Sequence, residues 1–293
     1  MPKRSRLSIA KPKIEGFFNA NEGSVYTPRD LEVIFYRNRD EWQLMKSTSF
    51  SDFFVYLQVR SRLRPVELEF LSRIITRYIW GDPSPSSLYE LGLSLGQNSY
   101  FTHYTAVFLH DLTEQIPKKL YVNIEQGQKD SVGALTQEAI DQAFQKPTRQ
   151  TANIAAFQDY KIALLNGKYT HQLGVIEMEV EGVAVRLTDI ERTLIDIAVR
   201  PEYAGGVYEV LKAFTLAQGR VSVNKLKAYL SKIDYIYPYH QVIGFYLEKA
   251  GYPENRIKLL EKDINYDFYL THEMKKPAYS KRWHLYYPKE FDS

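Results

Sequence analysis

The chain has 293 residues, 44% of them hydrophobic, which is enough to bury a sizeable core and favours two domains over one. It has no cysteine, which excludes disulfides, thiolate metal sites and cysteine nucleophiles and agrees with a cytoplasmic setting. The formal net charge of +3 is unevenly spread: 14 basic against 11 acidic residues in 1–95, and 24 against 24 in 96–293.

No run of eighteen apolar residues occurs, and the N-terminus has charge without the apolar stretch of an export signal, so the reading is a soluble protein with no membrane partner. Lys3, Arg4, Arg6, Lys11 and Lys13 all precede the first acid, Glu15, and residues 1–24 read as a basic arm able to lie along phosphates. Thr27-Pro28-Arg29-Asp30 is a helix start with a capping Thr, Pro at the first position and an acid in the first turn. A short helix over 39–44 with Trp42 inward follows, then a helix capped by Ser49 or Ser51 that carries Phe53, Phe54, Tyr56, Leu57 and Leu63 and ends in Arg60, Arg62 and Arg64 before Pro65. Two extended stretches, 66–70 and 74–80, are separated by a hairpin-sized gap at Leu71-Ser72-Arg73.

Helix, helix, helix, hairpin is the order of a winged helix-turn-helix, in which the third helix enters the major groove of DNA and the wing meets the backbone. On that reading residues 25–95 form a DNA-binding domain. Arg29, Arg60, Arg62, Arg64, Arg73, Arg77 and the arm would contact phosphates, while Ser49, Ser51 and Gln58 would read bases. The groove helix is poor in Arg and Lys until its end, so most of its basic contacts would be to phosphates.

Residues 96–293 read as a mixed α/β domain, giving an α+β chain. Pro83–Ser87 is a linker and 88–95 a helix. Asn98 or Ser99 caps an amphipathic helix through Tyr100, Tyr104, Val107, Phe108 and Leu112, stopped by Pro117 before a strand over 119–124. His103 and His110, two helical turns apart, are separated by ~10.5 Å and cannot share a metal ion, so both read as structural or surface residues. After a polar segment with a short helix at 136–144 come strands over 160–165, 173–180 and 183–187, with Glu181-Gly182 as a turn. Helices at 188–199, 206–217, 222–233 and 239–250 follow, and the Tyr-rich tail ends extended.

Three stretches, SYFTHYTAVFLHDLTEQIPKKLYV, VRLTDIERTLIDIAVRPEYAGGVYEVLKA and YPYHQVIGFYLEKAGY, together resemble the AbiEi-type antitoxin and transcriptional-regulator family of type IV toxin–antitoxin (abortive infection) phage-defence systems. The middle motif, with Arg192, Asp196 and the turn at 201–206, is the most specific part. The resemblance implies a winged-helix domain followed by a larger antitoxin domain. It also implies dimeric or cooperative repression at inverted repeats of double-stranded operator DNA, and neutralisation of a cognate nucleotidyltransferase-like toxin. No cofactor or metal is implied, and the chain is expected not to be an enzyme.

A metal-dependent nuclease is the competing class. Glu177, Glu179 and Glu181 alternate along a strand with Asp189 after them, a set conceivable for Mg²⁺, although exposure explains three like charges on one face at less cost. The chain contains no GxxxxGK[ST], GxGxxG, GxSxG or HExxH pattern. Arg192 and Asp196, four apart on a helix, can pair with each other and orient that helix.

Overall fold

The computed structural model describes residues 5–21, 24–128 and 134–292 of the chain. They form a mixed α/β protein of two compact units. The first comprises residues 1–99, 153–162 and 177–185, and the second 100–152, 163–176 and 186–293.

The first unit opens with α1 (Arg6–Ala20), β1 (Val25–Tyr26), α2 (Pro28–Asn38), α3 (Phe50–Arg60), β2 (Leu63–Phe70), β3 (Arg73–Trp80) and α4 (Pro85–Leu93). The segment expected to be a basic arm is therefore largely a helix. Its apolar positions Ala10, Ile14 and Phe18 recur at spacing four and are buried, so residues that look like a tail in composition belong to the core. The short helix expected at 39–44 is instead a series of turns, because Gln43 takes a left-handed backbone (φ 55°), yet Trp42 is still buried. α2 and α3 each begin with a reciprocal capping box, Thr27 with Asp30 and Ser49 with Asp52. The hairpin is antiparallel from Leu63↔Trp80 to Phe70↔Arg73, with Leu71 and Ser72 at its tip, and β1 adds to β3 to give the order β1-β3-β2.

Rings fill the core of this unit. Phe18 stacks on Trp80 with centroids 4.6 Å apart, and Trp42 stacks on Phe53 at 5.5 Å.

The remaining elements are β4 (Tyr100–Phe101), α5 (His103–Leu109), β5 (Lys119–Glu125), α6 (Gln137–Phe144), β6 (Ile154–Phe157), β7 (Tyr160–Gly167), β8 (Val175–Val180) and β9 (Val183–Thr188). They continue with α7 (Ile190–Val199), α8 (Val207–Leu216), α9 (Val223–Ile233), α10 (Tyr239–Lys249), α11 (Glu254–Ile257), β10 (Phe268–Tyr269), β11 (Pro277–Ser280) and β12 (Leu285–Pro288). In the second unit β4 lies between β5 and β9. Tyr100 and Phe101 were expected inside a helix; they are strand residues, paired with Asn123 and Val122 of β5, and Phe101 also pairs in parallel with Leu187 of β9. The helix starts only after Thr102. Glu181 and Gly182, with φ of 51° and 77°, make the two-residue turn between β8 and β9, the type whose twist suits a hairpin.

Helices α7 to α10 build the second unit's core around Leu194, Ile197, Val210, Phe214, Leu226 and Phe245. Trp283, fully buried, lies against α10 at Gly244, where an added Cβ would sit 2.2 Å from the indole. Gly244→Ala is therefore expected to displace Trp283 and lower stability by about 1–3 kcal/mol or more, measurable by urea unfolding. An unchanged midpoint would show that the indole has room to shift.

Candidate nucleic-acid interface

In the first unit the geometry begins with the capping box of α3. The Ser49 hydroxyl donates to Asp52 Oδ2 at 2.7 Å and accepts from the Asp52 amide at 3.1 Å, while the Ser49 amide donates to the same carboxylate at 3.1 Å. These bonds hold the Asp52 carboxyl below its usual range, the Ser49 hydroxyl being the main cause. Ser49, expected to read bases, is thus occupied in starting the helix. Ser51 is exposed, and Gln58 is half-buried on the flank of α3.

The cations separate into groups. Arg60 is exposed at the last turn of α3. Arg62 folds over Gly81, whose φ of 81° and missing Cβ leave room for the guanidinium. Arg64 approaches Asp82 at 3.9 Å with both side chains largely in water, a contact of little energetic weight. Arg73 stands exposed beside the wing tip. Phe70, the partner of Arg73, lies six positions along β2 from Arg64, so the base and tip of the wing are roughly 20 Å apart.

Arg77 does not join either group. Its Nε donates to Ser94 Oγ at 2.9 Å, Nη2 to Ser94 O at 2.7 Å and Nη1 to Thr76 O at 2.8 Å, and burial pulls its pKa down. It anchors the hairpin to the end of α4 and is withdrawn from any phosphate role. The signal missed in the sequence was its position: β3 is the central strand of the sheet.

On α1, Lys11 pairs with Glu15 at 3.5 Å and Lys13 Nζ donates to Glu41 O at 3.3 Å. Glu15 also accepts from Ser61 Oγ at 2.7 Å, which ties α1 to the end of α3. Lys3 and Arg4 lie outside the described residues. Arg6 and Arg29 are exposed, and among the described residues neither they nor Arg60 and Arg73 have an ion-pair partner.

In the second unit, the motif containing Arg192 and Asp196 forms the end of β9, α7 and the turn before α8. Asp189 caps α7 by accepting from the Arg192 amide at 2.8 Å. Arg192 Nε donates to Asp196 Oδ1 at 2.8 Å, and Nη1 donates to Leu173 O at 2.8 Å and Thr170 Oγ1 at 3.1 Å. Thr102 Oγ1 donates to the other oxygen of Asp196 at 2.8 Å. Burial alone would lower the Arg192 pKa, but the charge of Asp196 and its hydrogen bond raise it. Next to this pair, Glu125 accepts from Tyr100 at 3.0 Å and from the Thr170 hydroxyl and amide. Burial pushes the Glu125 carboxyl up, but these bonds, with that from the Gln172 amide, outweigh it and hold the group below its usual range. Glu191 accepts from the Ser222 amide at 2.8 Å, and Lys225 bridges Asp189 and Glu191 at 2.9 Å each.

Glu177 and Glu179 are exposed on β8, and among the described residues no three His, Cys, Asp or Glu side chains converge to hold a metal ion. Nor, among the described residues, is any helix long and apolar enough to cross a membrane.

No family model matches the chain, and no curated protein matches it. Among solved structures it is similar to the crystal structure of the Rv2827c protein from Mycobacterium tuberculosis, with a TM-score of 0.59 and 11% identity over 95% of this chain and 91% of that one. The likeness supports the mixed α/β fold of the whole chain.

Two outcomes follow from the buried groups of the second unit. Asp196→Ala strands the Arg192 guanidinium and is expected to cost about 3–5 kcal/mol, whereas the paired substitution R192M with D196L, which removes both charges, costs clearly less; equal losses would show that the pair carries net stability of its own. His103, half-buried against the Tyr121 and Tyr203 rings, is shifted by desolvation from 6.5 to about 4, and burial lowers His110 as well. Because these folded-state values lie below the unfolded one, stability is complete above pH 6.5 and declines as pH falls toward 4. For His103 alone the loss is about 2 kcal/mol at pH 5. His103→Asn, which tolerates the left-handed backbone at φ 50°, should flatten that decline in urea titrations at pH 7 and 5; an equally steep decline would assign it to other groups.

Proposed function

We propose that this protein is a DNA-binding transcriptional repressor of its own operon and the antitoxin of a nucleotidyltransferase-like toxin. The observation that carries the DNA reading is the order α1-β1-α2-α3-β2-β3 with a β1-β3-β2 sheet, the arrangement of a winged helix-turn-helix. It is joined by free cations at the two ends such a domain turns toward a duplex: Arg60 on α3 and Arg73 on the wing. Backbone contacts of this kind position the protein and make affinity salt-dependent, while selectivity must come from α3.

The antitoxin half of the reading rests on the resemblance of the motif through Arg192, Asp196 and the 201–206 turn. Its support is that Arg192 and Asp196, buried and bonded to each other, organise the second unit. A gene for a nucleotidyltransferase beside this one, and co-purification of its product with this chain, are the expected observations.

The DNA reading is tested by gel shift against the DNA upstream of the gene and a scrambled duplex of equal length, at two salt concentrations. Preference for the upstream duplex that survives higher salt is expected. Arg73→Ala should weaken binding to both duplexes and reduce the slope of log affinity against log salt by about one. Arg77→Ala should leave that slope unchanged and lower thermal stability instead, since it removes buried hydrogen bonds. Equal, salt-labile binding to both duplexes would sink the repressor reading.

A further inference from the structure

We infer that α3 reads thymine methyl groups, through Val55 and Val59, and that the protein selects operators with thymines at the steps this helix faces. The inference rests on the DNA-binding reading above. Ser51, Val55 and Val59 recur at spacing four and form one solvent-facing stripe of α3, while Phe53 and Leu57 point into the core. Val55 is 52% exposed and Val59 66% exposed, so their methyl groups are open to a partner that meets this face of α3.

The bases a helix can distinguish follow from what its exposed side chains offer. Arg or Lys pairs with guanine, Asn or Gln with adenine, an acid with cytosine, and an apolar group with the C5-methyl of thymine. The three residues of the stripe carry no guanidinium, ammonium or amide, and Arg60, the one cation of α3, points about 100° around the helix from Val59. Ser49 and Asp52, at its start, are bound to each other, and Gln58, about 20° around the helix from Ser51 and about 60° from Val55, borders the stripe and is half-buried, so it presents less of itself than the valines do. What remains to meet a groove floor is Ser51 and the valine methyls.

Charge complementarity identifies duplex DNA as the occupant of this face, in preference to an apolar protein surface. Arg60 follows Val59 directly, and Arg29 and Arg73 stand free on α2 and the wing, whereas Arg62 folds over Gly81 and Arg64 faces Asp82. The single acid on the exposed side of α3, Asp52, has its charge engaged by the helix start. An apolar stripe flanked by cations matches a major groove, where methyl groups line a floor between phosphate walls.

The test uses the full-length protein and the DNA upstream of its gene, amplified with either thymidine or deoxyuridine triphosphate. Uracil pairs like thymine and lacks only the methyl group. Binding to the uracil duplex is expected to be weaker by about fourfold for each contacted methyl, equivalent to ~0.8 kcal/mol per buried group. Val55→Ala with Val59→Ala, changes that raise helix propensity and so leave α3 folded, should weaken binding to the thymine duplex and bring the thymine-to-uracil ratio toward one. Equal affinity of the wild type for both duplexes, with preference over scrambled DNA retained, overturns the inference and leaves the repressor reading standing. A uracil effect that persists undiminished in the double variant assigns it to duplex shape and also overturns the inference. Loss of a DNA-free assembly in the double variant, with the ratio unchanged, makes the stripe an interface between copies and overturns it too. Absence of preference for any upstream duplex sinks both readings together.

Discussion

A guanidinium cannot surrender its proton inside a protein, so burying one obliges the surroundings to supply acceptors. Arg192 is 4% exposed, and much of the second unit is arranged around that demand. Asp196 lies one turn further along α7, where an i,i+4 pair meets without any tertiary adjustment. Each other partner has a requirement of its own. Asp196 takes a second hydrogen bond from Thr102, which fixes where β4 ends and α5 begins. Thr170 also donates to Glu125 on β5, and Glu125 in turn receives the Tyr100 hydroxyl, which accepts from Asn123 at 2.7 Å. The loop through 170–174 can approach closely only because Gly174 has no Cβ: one placed there would lie 2.8 Å from both Arg192 Cβ and the Tyr229 ring, on a backbone with φ 75°.

The first unit obeys a different constraint. Its interior is built from stacked and edge-on rings, which have large apolar faces and few polar atoms to satisfy. Most of its described cations are left at the surface, while Arg77 has a place on a central strand that points its long side chain at the Ser94 carbonyl and hydroxyl. Two arginines four residues apart on one strand, Arg73 and Arg77, thus have opposite fates because one stands at the hairpin tip and the other beside another element.

Local signals were legible. The Thr27 cap and the Glu181-Gly182 turn stand where the sequence places them, and of the two caps it offers for α3 the structure uses Ser49, all of them features of residues within three or four positions of one another. What could not be read were features decided at long range. Tyr100 and Phe101 fit a helical stripe as well as a strand, and β5 and β9 decide between the two. The charges of residues 6–13 are those of a solvated arm, whereas the spacing of Ala10, Ile14 and Phe18 is that of a buried helix face, and the packing of that face decides the structure. For the candidate interface, the free cations Arg60 and Arg73 could be named from the sequence. The sequence left the cap between Ser49 and Ser51 and gave Ser49 to base readout, and the exposure of Val55 and Val59 was not legible either, because valine is more often buried than exposed.

That arrangement has a consequence for how binding and selection would be divided. In a helix that places arginines on guanine, one side chain both attracts the duplex and reads it, so affinity, salt dependence and sequence preference change together. In α3 the charges stand at the helix end and on a wing tip roughly 20 Å from the wing base, while the stripe between carries methyl groups. On the proposed reading, attraction would belong to residues with no view of the bases, and selection to residues with no charge. Salt would weaken binding to every duplex alike and leave the ratio between duplexes nearly unchanged, since displacing counterions from phosphates is indifferent to a thymine methyl. A repressor built this way keeps its operator preference across ionic conditions even as its occupancy varies.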